Sequence, residues 1–168
     1  MIDWSPVFNH SPMPDNKNEM EPPKRVVYAY VVADLLHIGH IKHLQNAKRH
    51  GDYLIVGILT DEATMEKKPA PILSFAERVE IVESLKVVDE VVAQTTYSPL
   101  DNVKRIRPDV LMESDSHPDQ PANDFVLSYG GTVVITPYYH SQSSTKIKEK
   151  ILTTWRRPSA PTQSTPVG

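Results

Sequence analysis

The sequence contains no cysteine. Disulfides, thiolate zinc sites and thiol nucleophiles are therefore excluded. Neither sign of charge dominates: 18 Lys and Arg face 21 Asp and Glu across 168 residues, a net charge of −3. A general nucleic-acid binder would carry a marked basic surplus, so none is expected as a partner. No stretch reaches the ~18 consecutive apolar residues that a membrane span needs. The opening MIDWSPVFNHSPMPDNKNEM lacks the basic start and apolar run of a secretory leader. These absences together suit a cytoplasmic protein.

Proline is present but unevenly placed. Five of the 15 prolines lie in residues 1–24 and three in 158–168. Both ends are polar and without periodicity, so residues 1–24 read as a disordered arm and 156–168 as a disordered tail or linker. Between them, residues 25–155 read as one domain. VVYAYVVA (26–33) is a continuous apolar run rich in β-branched and aromatic residues, the pattern of a strand buried on both faces. Ile41, Leu44 and Ala47 then recur at helical spacing, with Gly51 at the expected stop. YLIVGIL (53–59), VDEVVA (88–93), DVLME (109–113) and TVVIT (132–136) supply four further strands. A capping box at Ser74–Glu77, a Ser98-Pro99 helix start and a closing helix from Ser143 lie among them. Alternating strands and helices predict right-handed βαβ units. The expected fold is α/β, a Rossmann-like three-layer sandwich around a five-stranded parallel sheet.

Such sheets bind ligands beyond the carboxyl ends of their strands, where strand order reverses. Ala33-Asp34-Leu35-Leu36-His37-Ile38-Gly39-His40 follows the first strand. A helix start there offers free N–H groups and a partial positive charge to phosphate. His37 and His40 add imidazole donors, and Gly39 permits close approach of a ligand to the backbone. Ser143-Ser144-Thr145-Lys146 opens a second helix after the fifth strand and makes another anion site. Two phosphate-binding helix starts on one crevice suit a triphosphate. A metal cluster of His37, His40 and His43 is disfavoured, because His37 precedes the helix and no carboxylate sits at matching spacing.

HIGH after a buried first strand, paired with a late SSTKIK, resembles the nucleotidyltransferases of the HxGH signature. Within them the chain is most similar to the cytidylyltransferases acting on glycerol 3-phosphate, phosphocholine or phosphoethanolamine. HIGHIKHLQNAKRHGDYLIVGILTDEA, Lys67, SFAERVEIVESLKVVDEVV, RPDVL and SSTKIK occur in family order over residues 26–152. The resemblance implies that His37 and His40 stabilise the transition state at the α-phosphorus and that Lys67 bridges nucleotide and acceptor phosphates. It implies that Ser143, Ser144 and Thr145 hold the β- and γ-phosphates, with Val32, Ala33 and Gly39 along the nucleotide. Asp34 and Asp61 take carboxylate positions on the acceptor side, or cap their own loops. Arg78 serves architecture as much as binding, and Lys68 can stand in for Lys67. The implied cofactor is Mg²⁺, arriving with CTP. The implied assembly is a homodimer, with a fused second catalytic domain in the full-length protein.

Three segments depart from the family. Val31-Val32-Ala33-Asp34 stands where relatives read Gly-Thr-Phe-Asp. Glu113-Ser114-Asp115-Ser116 replaces Gly-Asp-Asp-Trp, whose aromatic lies near cytosine, and Tyr138-Tyr139-His140 replaces Arg-Thr. The chain here looks closer to a phosphonate-pathway branch, in one setting of which the acceptor is 2-hydroxyethylphosphonate. Two alternatives remain: an adenylyltransferase of the same fold using ATP, and a catalytically silent nucleotide-binding module.

Overall fold

The computed structural model describes residues 23–154, apart from 116, 117 and 138. The tail over 156–168, most of the arm over 1–24, and His117 in the acidic loop lie outside the described residues. Eleven elements follow in order: β1 (Val26–Val31), α1 (Ile38–Lys48), β2 (Tyr53–Leu59), α2 (Asp61–Met65), α3 (Phe75–Glu83), β3 (Glu90–Gln94), α4 (Leu100–Ile106), β4 (Val110–Ser114), α5 (Gln120–Ser128), β5 (Thr132–Thr136) and α6 (Ser144–Thr154).

The five strands form one parallel sheet in the order β3-β2-β1-β4-β5. The chain winds outward from β1 to β3, crosses back over α4, and continues outward through β4 and β5. Strand order therefore reverses between β1 and β4, and their carboxyl ends splay to open a crevice. Alternation along β1 sends Val27 and Ala29 to one face and Tyr28 to the other. The first pair joins Val56, Ile58 and Met112 under Leu44 and Ala47 of α1 and Val82 of α3. Tyr28 joins Ile55 and Leu111 under Val103 of α4 and Ala122 and Val126 of α5. Helices on both faces make the Rossmann-like three-layer sandwich.

Local differences from the pattern have physical causes. β1 ends at Val31 because Ala33 and Leu35 adopt left-handed backbone, with φ of 59° and 51°. A ladder cannot continue through that geometry. Gly51 is no left-handed helix stop: α1 ends at Lys48, and a Cβ at Gly51 would lie 2.5 Å from the Arg25 carbonyl oxygen. Close backbone approach is what requires glycine there. Pro99 rather than Ser98 occupies the α4 cap, with the Leu100 amide donating to Ser98 Oγ at 3.3 Å. The short α2 had no apolar periodicity to announce it. The Thr60 hydroxyl caps it by accepting from the Ala63 amide at 3.1 Å. The capping box at Ser74 forms as expected, its Glu77 carboxylate accepting from the Ser74 amide at 2.8 Å.

Candidate active site

A cavity of about 720 Å³ occupies the crevice at the strand ends. Its wall brings together Val32, Asp34, His37, Gly39 and His40 from the β1–α1 segment and Ser143, Ser144 and Thr145 from the start of α6. The first and last motifs of the domain thus meet around one space.

At the start of α1, His37 and His40 cap each other reciprocally. The Gly39 amide donates to His37 Nδ1 at 3.1 Å, and the His37 amide donates toward His40 Nδ1 at 3.4 Å. The two rings lie 4.0 Å apart, tilted by 32°. Burial lowers the His37 pKa and, together with the neighbouring His37, His43 and Lys68, pushes His40 down to about 3. Both rings are therefore neutral at pH 7. With each Nδ1 accepting, the single ring proton must sit on Nε2. The cap thus fixes the tautomer and leaves two Nε2–H donors. Gly39 is the condition for this arrangement: a Cβ there would stand 2.8 Å from His37 Cε1.

α6 is fastened to the same turn. The Ser143 hydroxyl caps it, accepting from the Lys146 amide at 3.2 Å. The Ser144 hydroxyl donates to the Asp34 carbonyl. Lys148 Nζ pairs with the Asp34 carboxylate at 2.7 Å. That carboxylate also accepts from the Ile72 and Leu73 amides at 3.0 and 3.1 Å. Burial raises the Asp34 pKa, but Lys148 and the two amides outweigh it and hold the group below its usual value. In this structure Asp34 clasps loops together.

Arg78 is fully buried and outside the cavity wall. Its guanidinium donates to the carbonyls of Val32 at 2.6 Å, Leu59 at 2.7 Å and Leu73 at 3.3 Å, and to Asp61 at 2.5 Å. It locks the exits of β1 and β2, and Asp61 is its counter-ion. Ala33 is buried in the left-handed turn. Lys67 and Lys68 both stand over the ring of Tyr97, itself a wall residue, at 5.3 and 5.9 Å, and of the two lysines Lys68 lines the cavity.

Sequence reasoning passed over the wall residues Lys148 and Tyr30, and weighed His43 only within the disfavoured metal cluster. Lys148 lies one helical turn past the serine-threonine motif. Tyr30 donates to Glu113 at 2.7 Å across the switch point, and burial pushes the Glu113 pKa up to about 7. His43 reaches Thr136 at 3.2 Å. The spacing of His43 and Lys148 along their helices was the only available signal.

No group of three or more His, Asp or Glu side chains placed to hold a metal ion occurs among the described residues. The buried carboxylates of Asp34 and Glu113 already have partners. An ion arriving with a nucleotide would be held chiefly by phosphate oxygens.

Two curated relatives are the bifunctional protein HldE of Syntrophotalea carbinolica, 36% identical over 133 residues, and that of Geotalea uraniireducens, 38% identical over 134. In each case the match takes in 77% of this chain and 27% of the relative. The chain thus spans about a quarter of their length. Among solved structures, a lipopolysaccharide core biosynthesis protein from Thermoplasma volcanium superposes with a TM-score of 0.61 at 26% identity, covering 71% of this chain and 100% of that one. The cytidylyltransferase-like family model matches residues 30–150, from the end of β1 well into α6. With that match and the paired helix starts on one crevice, the chain belongs to the cytidylyltransferase-like family of nucleotidyltransferases.

Proposed function

We propose that this chain transfers a nucleotidyl group, with CTP as donor, to a phosphate or phosphonate oxygen of a small acceptor, and releases pyrophosphate. The observation that carries the reading is the convergence of two Nε2–H donors, at His37 and His40, with the first turn of α6 on one cavity. The acceptor oxygen attacks the α-phosphorus in line. A new O–P bond forms as the bond to the β-phosphate oxygen breaks, and the electron pair leaves with pyrophosphate. The attacking oxygen is anionic near neutral pH, so no proton is removed and no covalent intermediate forms. The protein's contribution is positioning and charge stabilisation. His37 and His40 donate to oxygens gaining charge in the transition state. The first-turn amides of α6, with Ser143 and Thr145, receive the departing phosphates. Lys68 and Lys148 lie where an acceptor phosphate would need cations. Magnesium bound to the nucleotide would offset triphosphate charge.

ATP is the second reading of the donor. Ser114, the last residue of β4, lines the cavity in the segment where cytidylyltransferases carry an aromatic. The acceptor is a small phosphate ester or phosphonate such as 2-hydroxyethylphosphonate. The relation to a lipopolysaccharide core protein adds sugar phosphates to the candidates, since such cores are built of sugars. The description of the longer relatives as bifunctional supports a second catalytic domain in the whole protein. The homodimer rests on family resemblance and is tested by light scattering.

The deciding experiment incubates the protein with CTP or ATP, Mg²⁺ and a panel of these acceptors, followed by phosphorus NMR. A new pyrophosphate-linked product with CTP supports the reading, and a product only with ATP reassigns the donor. Nucleotide binding without any product favours the silent module. His37→Ala and His40→Ala should each lose about 10²–10³ in turnover.

A further inference from the structure

His43 lies one helical turn beyond His40 on α1 and lines the same cavity, between α1 and the exits of β4 and β5. Its Nδ1 is 3.2 Å from Thr136 Oγ1. The Thr136 hydroxyl has one proton, and the Glu113 carbonyl takes it at 3.0 Å. A carbonyl can only accept, so the proton between His43 and Thr136 must come from the imidazole. Burial lowers the His43 pKa, so the ring is neutral at pH 7. A neutral ring with its proton on Nδ1 presents Nε2 as an acceptor. This is the opposite tautomer to that of His37 and His40.

The cavity wall therefore carries two donors suited to phosphate and then, about 4.5 Å further along the helix axis, an acceptor unsuited to it. A lone pair there repels phosphate oxygens but matches an amine or hydroxyl. Asn46, one turn further along α1, and Met112 of β4 line the same cavity, consistent with the uncharged part of a nucleotide. We infer that His43 is a specificity-determining residue whose Nε2 accepts a hydrogen bond from an N–H or O–H group of the bound nucleoside, an inference that rests on the nucleotidyl-transfer reading above. Thr136 is the positioning residue that fixes the ring. The two sources of such a donor are the exocyclic amine of cytosine or adenine and a ribose hydroxyl.

Calorimetry with intact protein separates them. CTP is compared with UTP and ATP with ITP, which exchange the amine for a carbonyl oxygen, and each triphosphate with its 2′- and 3′-deoxy forms. In His43→Leu, affinity for the preferred amino nucleotide should fall roughly 5- to 10-fold, with the oxo counterpart unchanged if the base is the source. If the ribose is the source, one deoxy nucleotide should instead be indifferent to the substitution. An equal loss across all nucleotides, or none, overturns the inference. Long-range proton–nitrogen spectra of the ring provide an independent arm. Wild type and Thr136→Ser should show His43 protonated on Nδ1, and Thr136→Val should lose that preference together with nucleotide selectivity. A wild-type ring protonated on Nε2 overturns the assignment even if nucleotides bind. If wild-type protein binds no nucleotide while the tautomer is as described, the transfer reading itself fails and the inference falls with it.

Discussion

Gly39→Ala separates catalytic placement from folding more cleanly than removal of either histidine. The added methyl would lie 2.8 Å from His37 Cε1 and 3.0 Å from Nδ1, but 3.5 Å from the Gln142 carbonyl oxygen. Only the imidazole is crowded, and it can rotate away. Doing so breaks the Gly39 amide bond to Nδ1, a cap worth about 1 kcal/mol. Alanine in place of glycine inside α1 returns about 1 kcal/mol of helix propensity. The two terms nearly cancel, so stability should change by less than about 0.5 kcal/mol. Catalysis has no such compensation. A displacement of the order of 1 Å at a reacting group can cost about 10²-fold in rate, and the freed ring also loses its fixed tautomer. Urea unfolding followed by fluorescence measures the first quantity, and pyrophosphate release at saturating nucleotide measures the second. Turnover within threefold of wild type, with unfolding unchanged, would show that the capped geometry of His37 is irrelevant to the reaction.

Other outcomes follow from the same structure. Arg78→Met should destabilise the domain by about 3 kcal/mol or more, because three strand-exit and loop carbonyls lose a buried donor; an unfolding midpoint near wild type would contradict this. Lys68→Ala should raise the acceptor KM at least fivefold while Lys67→Ala changes it less than twofold, since only Lys68 reaches the cavity; the reverse order would restore Lys67 to the site. The Glu113 pKa is raised from 4.5 to about 7. The native state therefore holds an extra proton between those values, and stability falls as pH rises through them, by about 3 kcal/mol in full. Denaturation at pH 5 and pH 8 should show this slope, and Glu113→Gln should flatten it; an equal slope in both proteins would assign it to another group.

The order of elements was legible because each carried a local signal. β1, β2 and β4 are buried apolar runs, and α3 announces itself through Ser74 and Glu77. The pairing of His37 and His40 with the serine-threonine start of α6 could also be read, since both are contiguous motifs beside helix starts. What could not be read are links between positions far apart in sequence. Tyr30 and Glu113 are separated by 83 residues, and His43 and Thr136 by 93. Lys148 finds Asp34 only once α6 is laid against the turn after β1. An architectural role for Arg78 could be read from the sequence, but its full burial could not, because burial of a guanidinium depends on three carbonyls from separate segments. Gly51 and Gly57 carry equally little local signal: the Cβ of an alanine at Gly57 would meet the Tyr28 hydroxyl at 2.0 Å, and only the packed sheet reveals it.

The turn from Val32 to Leu35 is gripped from several directions: Arg78 from α3, the Ile72 and Leu73 amides from the preceding loop, and Ser144 and Lys148 from α6. Two of its residues remain in left-handed backbone under that grip. The grip makes the turn a sentinel for the integrity of the whole domain. His37 lies two residues past this turn, so its position depends on anchors drawn from three separate parts of the chain.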